Sequence, residues 1–173
     1  MSGNVQDRGR ASDRPFTIAR RFDAPREMVF AAWTDPEKLA RWFGPKGAEI
    51  IACTNDARPG GVLHYGMRTQ EGAIMWGKWV HCEVARPERL VSVVVFSDAA
   101  CGDTRHPMVP DWPLRTLSHV AFDADGGGTR ITIGWFPFDA TAAERQAFEA
   151  AHGSVEQGWA GALDSFGDYL AKA

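Results

Sequence analysis

The hydrophobic and polar positions of the chain alternate over most of its length, and a helical pattern takes over near the C-terminus. Turn residues such as Pro59-Gly60-Gly61 separate neighbouring extended segments, so strands that follow one another are joined by hairpins. Alternating or β-branched segments fall near residues 16–22, 48–52, 62–69, 74–85, 90–96, 114–122 and 129–138. The pattern predicts a seven-stranded antiparallel sheet.

Two short helices are predicted between the first and second strands. Met28, Val29 and Trp33 have helical spacing. Directly afterwards, Asp35 can cap a second helix, because its carboxylate can accept a hydrogen bond from an unpaired backbone amide of the first turn. Pro36 suits the first helical position. Gly44-Pro45 ends this helical region.

A long helix is predicted from Thr141 to about residue 172. Thr141 and Glu144 have the spacing of a capping box, in which each side chain bonds a backbone amide of the first turn. One uninterrupted helix over this span would be on the order of 45 Å long. Its glycines, among them Gly153 and Gly158, indicate either close packing on the sheet, which we favour, or a helix soft enough to shift around a ligand. One apolar face comprises Phe148, His152, Val155, Trp159, Leu163, Phe166 and Leu170.

Together these elements predict an α+β helix-grip fold. A seven-stranded curved antiparallel sheet surrounds the long C-terminal helix, and the space between them becomes a cavity. We expect a flexible polar tail over residues 1–15 and one domain over residues 16–173. Residues 97–113 contain three prolines and read as a long loop, either a lid over the cavity or a surface insertion.

Composition narrows the expected partners. The net charge of −3 provides no broad basic surface, so we expect no nucleic acid. No segment reaches the roughly 20 apolar residues that span a bilayer, so we expect no membrane partner. The three cysteines form no CxxC pair, which is typical of a reducing cytoplasmic setting. An exposed sheet edge would support a homodimer, although no residue requires one.

No complete set of catalytic residues is visible in the sequence. The motifs of serine hydrolases, zinc proteases and nucleotide-binding loops are absent, and no histidine has metal-ligand spacing. We therefore predict no catalytic set, no metal and no cofactor. His152 and Tyr65 are the acid–base candidates, but a histidine on an apolar face is also explained as a core residue.

The aromatic content points to an apolar pocket. Seven tryptophans and ten phenylalanines are many for this length, and several lie where strand and helix faces converge. Each is explained by core packing alone, and together they could line a pocket for a flat or lipid-like molecule. The predicted cavity residues are Trp42, Tyr65, Met67, Trp76, Phe96, Val120, Phe122, Trp135, His152, Trp159, Leu163 and Phe166.

Several short motifs resemble one known family. They include Phe22-Asp-Ala-Pro25, Trp33-Thr-Asp-Pro-Glu37, Arg41-Trp42-Phe-Gly-Pro45, Gly128-Thr-Arg130 and Gly158-Trp159. This combination resembles the proteins named after the activator of the ninety-kilodalton heat-shock chaperone ATPase, within the START-related, birch-pollen-allergen-like (SRPBCC) superfamily. The resemblance implies the helix-grip fold, and relatives include lipid carriers and polyketide cyclases or aromatases.

Three functions follow as hypotheses. The first is binding of a small hydrophobic or lipid-like molecule in the cavity. The second is a cyclase- or aromatase-like enzyme that shapes a reactive chain and supplies one acid or base. The third is a chaperone-binding stress-response protein, although the chaperone activator carries an additional N-terminal domain that corresponds to nothing in this sequence.

Overall fold

The computed structural model describes residues 14–173, so the predicted tail at 1–15 lies outside the described residues apart from Arg14 and Pro15. It confirms the predicted helix-grip α+β class. The strands are β1 Phe16–Phe22, β2 Glu49–Asn55, β3 Val62–Arg68, β4 Ile74–Ala85, β5 Arg89–Ser97, β6 Asp103–Thr104, β7 Thr116–Asp125 and β8 Gly128–Pro137. The helices are α1 Arg26–Thr34, α2 Pro36–Leu39, α3 Ala142–Ala150 and α4 His152–Lys172.

The sheet runs in the order β1-β8-β7-β5-β4-β3-β2, with the two-residue strand β6 added beside β5. Every pair of neighbouring strands is antiparallel. The register shifts between Ile50 and Ala52 and again between His81 and Glu83. Such bulges increase local twist and bend the strand, which favours the curled shape of this sheet.

The two predicted short helices are confirmed as α1 and α2. The Asp35 carboxylate accepts from the Glu37 amide at 2.9 Å, and Pro36 occupies the first turn of α2. Trp33 of α1 packs at 5.7 Å, ring centroid to centroid, against Phe122 of β7. The helices therefore close one end of the sheet over an aromatic core.

A buried polar network ties three strands to α1. His81 bonds the Ser92 hydroxyl through Nδ1 at 2.9 Å and the Asn55 side-chain oxygen through Nε2 at 2.8 Å. Asn55 in turn donates to the Thr34 carbonyl at 2.7 Å. Because the Asn55 oxygen only accepts, His81 donates from Nε2 and accepts from Ser92. Burial lowers the pKa of His81, opposed in part by Asp56, and so favours this neutral form.

The C-terminal helical region departs from the single uninterrupted helix predicted. The backbone leaves the helical conformation at Ala151 (φ −93°, ψ 4°), which separates α3 from α4. The capping box is half correct. The Thr141 hydroxyl accepts from the Glu144 amide at 3.1 Å, but the Glu144 carboxylate binds Arg105 at 3.0 Å instead of a backbone amide. A tertiary ion pair has replaced the local bond.

Residues 97–113 divide into two parts with different positions. The first part folds back on the outer face of the sheet, where Lys78 donates to the Cys101 carbonyl at 2.8 Å. In the second part, His106 and Trp112 turn inward, and their rings lie 5.9 Å apart, centroid to centroid. The segment is therefore a covering layer for the sheet and also one wall of the interior described next.

Candidate ligand-binding cavity

Three cavities lie against the curled sheet, and two of them open between the sheet and α4. The first, which we call the tryptophan cavity, has a volume of about 190 Å³. Its floor is provided by β3, β4 and β8, and its roof by α4 and the segment after α2. The lining residues are Phe43, Gly44, Pro45, Tyr65, Met67, Trp79, Trp135, Val155, Gly158, Trp159 and Ala162.

The second and third cavities lie on either side of Phe96, which borders both. The loop cavity, about 320 Å³, has His106, Val109 and Trp112 as one wall. The hairpin cavity, about 390 Å³, extends toward the β3–β4 turn and is bordered by Lys46 and Glu71 among others. Tyr65 borders all three cavities, so it stands at their junction.

Gly158 forms part of the roof of the tryptophan cavity. A β-carbon built on Gly158 or on Gly153 meets no atom within 4 Å, so neither glycine is explained by close packing. The close-packing prediction is wrong for these two positions. Gly161 does pack closely, because a β-carbon built there would lie 3.4 Å from Lys46.

The Tyr65 side chain crosses from β3 onto β4. A β-carbon placed on Gly77 would lie 2.5 Å from the Tyr65 hydroxyl, so the phenol occupies the space that a side chain at Gly77 would fill. Burial raises the pKa of Tyr65 to about 12, and the neighbouring Trp79 lowers it only in part. Tyr65 is therefore a neutral hydrogen-bond donor at physiological pH.

Trp79 carries an unsatisfied donor beside Tyr65. Its side chain is buried, and within residues 14–173 its indole nitrogen has no hydrogen-bond partner. By contrast, the indole of Trp42 donates to the Ala32 carbonyl at 3.0 Å, and that of Trp135 to the Ser118 hydroxyl at 2.9 Å. A buried donor without a partner is unusual and destabilising, by about 1–3 kcal/mol.

The predicted cavity residues fall into two groups in the structure. One half borders the cavities and the other half packs elsewhere, so these side chains do not form one continuous lining. The bordering residues are Tyr65, Met67, Trp76, Phe96, Trp135 and Trp159. Those packed in the core or beside it are Trp42, Val120, Phe122, His152, Leu163 and Phe166.

Two of these residues are placed differently from the expectation. His152 lies between the rings of Phe16 and Phe148, at 6.1 and 5.2 Å between centroids, and borders none of the three cavities described. The Trp76 ring covers Gly66 and stacks 5.1 Å from His64, on the sheet face opposite Tyr65. Trp76 therefore reaches the hairpin cavity only at its rim.

Several lining residues were not in the predicted set. Trp79 is one of the aromatic residues that the sequence places where strand and helix faces converge, and in the structure it lies on the same face of β4 as Gly77, two positions away. Phe43 and Gly158 gave less signal. Phe43 lies in the segment that ends the second short helix, and a glycine presents no side chain for a hydrophobic pattern to reveal.

No group of histidine, cysteine, aspartate or glutamate side chains within residues 14–173 has the arrangement of a metal site. Among the described helices, none is both long and apolar enough to cross a bilayer.

The curled sheet, the terminal helix and the cavities beside them define a protein of the helix-grip class. The model of the Activator of Hsp90 ATPase homolog 1-like family matches residues 23–171. The chain therefore belongs to that family. No curated protein matches the sequence.

Solved structures share this fold. A protein from Arthrobacter aurescens is 26% identical with a TM-score of 0.74, over 94% of this chain and 92% of that one. A Nitrosomonas europaea protein is 25% identical with a TM-score of 0.72, over 91% and 94%. A Silicibacter pomeroyi protein named AHSA1 is 19% identical with a TM-score of 0.70, over 91% and 98%, and shows the fold alone.

Proposed function

We propose that this protein binds a small hydrophobic molecule between the curled sheet and α4. The single observation that carries the proposal is the group of three cavities meeting at Tyr65. A core that served stability alone would be close-packed, because interiors contain few voids larger than a water molecule.

The sizes of the cavities suit such a ligand. The loop and hairpin cavities, at about 320 and 390 Å³, fall within the roughly 300–1,000 Å³ range of ligand pockets. The tryptophan cavity, at about 190 Å³, slightly exceeds an engineered void of about 150 Å³ that binds benzene. A molecule of one or two fused rings, or a short acyl chain, matches these volumes.

The polarity of the lining supports an uncharged body for the ligand. Residues 14–173 contribute no charged side chain to the tryptophan cavity. Burying an unpaired charge there would be strongly unfavourable. Lys46 and Glu71 border only the hairpin cavity, so any charged group of the ligand would have to lie at that end.

The direct test is native mass spectrometry of the protein purified from its own host. We expect a mass above that of the chain that disappears on denaturation, with the released compound identified by chromatography. The same spectrum reports whether the protein is a homodimer. A thermal-shift screen of hydrophobic compounds accompanies it, and a ligand at 100 times its Kd should raise Tm by about 5–10 °C.

The control for both measurements is a variant whose cavity is filled at Gly158. A protein that carries no compound, and that no hydrophobe in the screen stabilises, would contradict the proposal. Stabilisation of the filled variant to the same degree as the wild type would exclude the tryptophan cavity as the binding site and leave the loop and hairpin cavities, which Gly158 does not border.

A cyclase- or aromatase-like reaction is the second candidate, supported by the Tyr65 hydroxyl at the cavity junction. With a pKa raised to about 12, Tyr65 is suited to donate a hydrogen bond or a proton and not to act as a base. His152 borders none of the three cavities, so it does not complete a pair. Faster cyclisation of a linear poly-β-ketone thioester by wild type than by Tyr65→Phe would support this alternative; equal rates would exclude it.

A further inference from the structure

We infer that the ligand carries a neutral carbonyl oxygen, which accepts a hydrogen bond from Tyr65 while the Trp79 indole supports that bond from behind. The inference rests on the proposed function, since it names the ligand class of the same cavity. The Tyr65 side chain borders every cavity described, and its hydroxyl has no hydrogen-bond acceptor among residues 14–173.

The second observation is the Trp79 donor. The indole nitrogen is shielded from the cavity space as well as from solvent, so it does not reach a ligand directly. It lies close enough to Tyr65 to lower the pKa of the phenol in part, although no hydrogen bond of good geometry joins them. An indole that donates to the phenol oxygen leaves the phenol free to donate its own proton onward.

Hydrogen bonds that follow one another in such a chain strengthen each other. A hydroxyl that accepts a hydrogen bond becomes a better donor, because each bond polarises the next. The chain ends at the cavity and therefore requires an acceptor there. A carbonyl oxygen meets this requirement, and it also satisfies both donors, which are unpaired when the cavity is empty.

The lining decides between a neutral and an anionic acceptor. Apart from the phenol and indole groups, the tryptophan cavity presents apolar side chains and backbone, with no arginine, lysine or histidine among its described lining. A carboxylate buried there would lack a cation. The geometry therefore points to a ketone, ester or lactone on an apolar body, with the carbonyl beside Tyr65.

The test uses three naphthalenes that share one body: 2-acetylnaphthalene, 2-ethylnaphthalene and 2-naphthoate. Titration calorimetry with the wild type should show the ketone binding about two- to tenfold more tightly than the hydrocarbon. The carboxylate should bind more weakly than either. In Tyr65→Phe the ketone should lose this advantage, while the hydrocarbon binds as before. In Trp79→Phe the ratio of ketone affinity to hydrocarbon affinity should also fall. The smaller ring changes the affinity of both compounds, so the ratio is the quantity to compare.

Tyr169→Phe is the matched control, since it deletes the only other tyrosine hydroxyl of the chain and lies outside the cavities described. The carbonyl ¹³C resonance of labelled 2-acetylnaphthalene gives an independent readout. It should move downfield on binding to the wild type and to Tyr169→Phe, and remain near its apolar-solvent value in Tyr65→Phe.

The outcomes separate the inference from the proposed function. If the hydrocarbon binds but the ketone gains nothing, or if Tyr65→Phe weakens both equally, the carbonyl inference is wrong and hydrophobic binding stands. Tighter binding of the carboxylate would likewise overturn the neutral acceptor. If neither neutral naphthalene binds while the screened hydrophobes do, the inference fails alone; if no hydrophobe binds, both proposals fail.

Discussion

Replacing Gly158 by leucine should stabilise the protein and weaken ligand binding at the same time. A glycine inside a helix is less favourable than alanine by about 1 kcal/mol. Because a β-carbon at Gly158 meets nothing within 4 Å, the substitution removes this penalty without a steric clash. The added methyl and methylene groups enter the tryptophan cavity, where burial contributes about 0.8 kcal/mol for each carbon that becomes fully buried.

The expected gain in the free energy of unfolding is about 1–3 kcal/mol, since the side chain fills the 190 Å³ void only in part. For a chain of this length each kcal/mol raises Tm by about 2–4 °C, so calorimetry should show an increase of about 2–12 °C. Gly158→Ala should give about 1 kcal/mol and leave more of the cavity open. Affinity for a hydrophobic ligand should fall at least tenfold in the leucine variant and less in the alanine variant.

Gly153→Leu is the matched control for this prediction. Gly153 is exposed and also free of atoms within 4 Å of a β-carbon, but it borders none of the three cavities. We expect a smaller gain, because Gly153 lies in the first turn of α4, and no effect on ligand affinity. A lower Tm in Gly158→Leu would contradict the statement that a side chain at this position meets open space. Unchanged affinity in a stabilised variant would refute the tryptophan cavity as the binding site.

Three further predictions concern other parts of the fold. Burial lowers the pKa of His106, whose Nδ1 accepts hydrogen bonds from two backbone amides of its own loop. The stability that this neutral histidine contributes is fully present above pH about 6.5 and is lost as the pH falls below that value, because the unfolded chain protonates first. Exchange protection of the two amides should therefore drop between pH 7.5 and 5.5, but not in His106→Asn, which keeps an acceptor. Ser92→Ala should lower the free energy of unfolding by about 1–3 kcal/mol in denaturant titrations, because it leaves His81 without a donor, and an effect below 0.5 kcal/mol would contradict the network. Thr141→Ala should cost about 1 kcal/mol by the same assay, whereas Glu144→Gln should cost less, since its partner is exposed to solvent.

Local patterns predicted the elements of this fold because each depends on neighbouring residues. Alternation reports which strand positions are buried, and the Asp35-Pro36 pair fixes the start of α2 by its own hydrogen bond. The interruption at Ala151 could not be predicted this way, because alanine favours helix. Glu144 likewise satisfies the capping-box pattern, but its carboxylate binds Arg105, a partner 39 positions away along the chain.

The candidate site was less predictable, because it depends on the absence of atoms as much as on their identity. Hydrophobic patterns mark inward-facing residues without separating those that pack against each other from those that border a void. Phe122 and Trp135 both face inward, yet Phe122 is fully buried between other rings and Trp135 borders two cavities. The distinction depends on the curvature of the sheet and the position of α4, which are properties of the whole fold.

Two destabilising features meet in the tryptophan cavity, and together they favour a ligand site over an accidental packing defect. Gly158 weakens the helix by about 1 kcal/mol, and the unpaired Trp79 donor weakens the fold by about 1–3 kcal/mol. A simple packing defect would explain the void but not the unpaired indole donor of Trp79 beside Tyr65. A ligand with an acceptor oxygen accounts for both, because it fills the space that Gly158 leaves open and completes the hydrogen bonds of Tyr65 and Trp79.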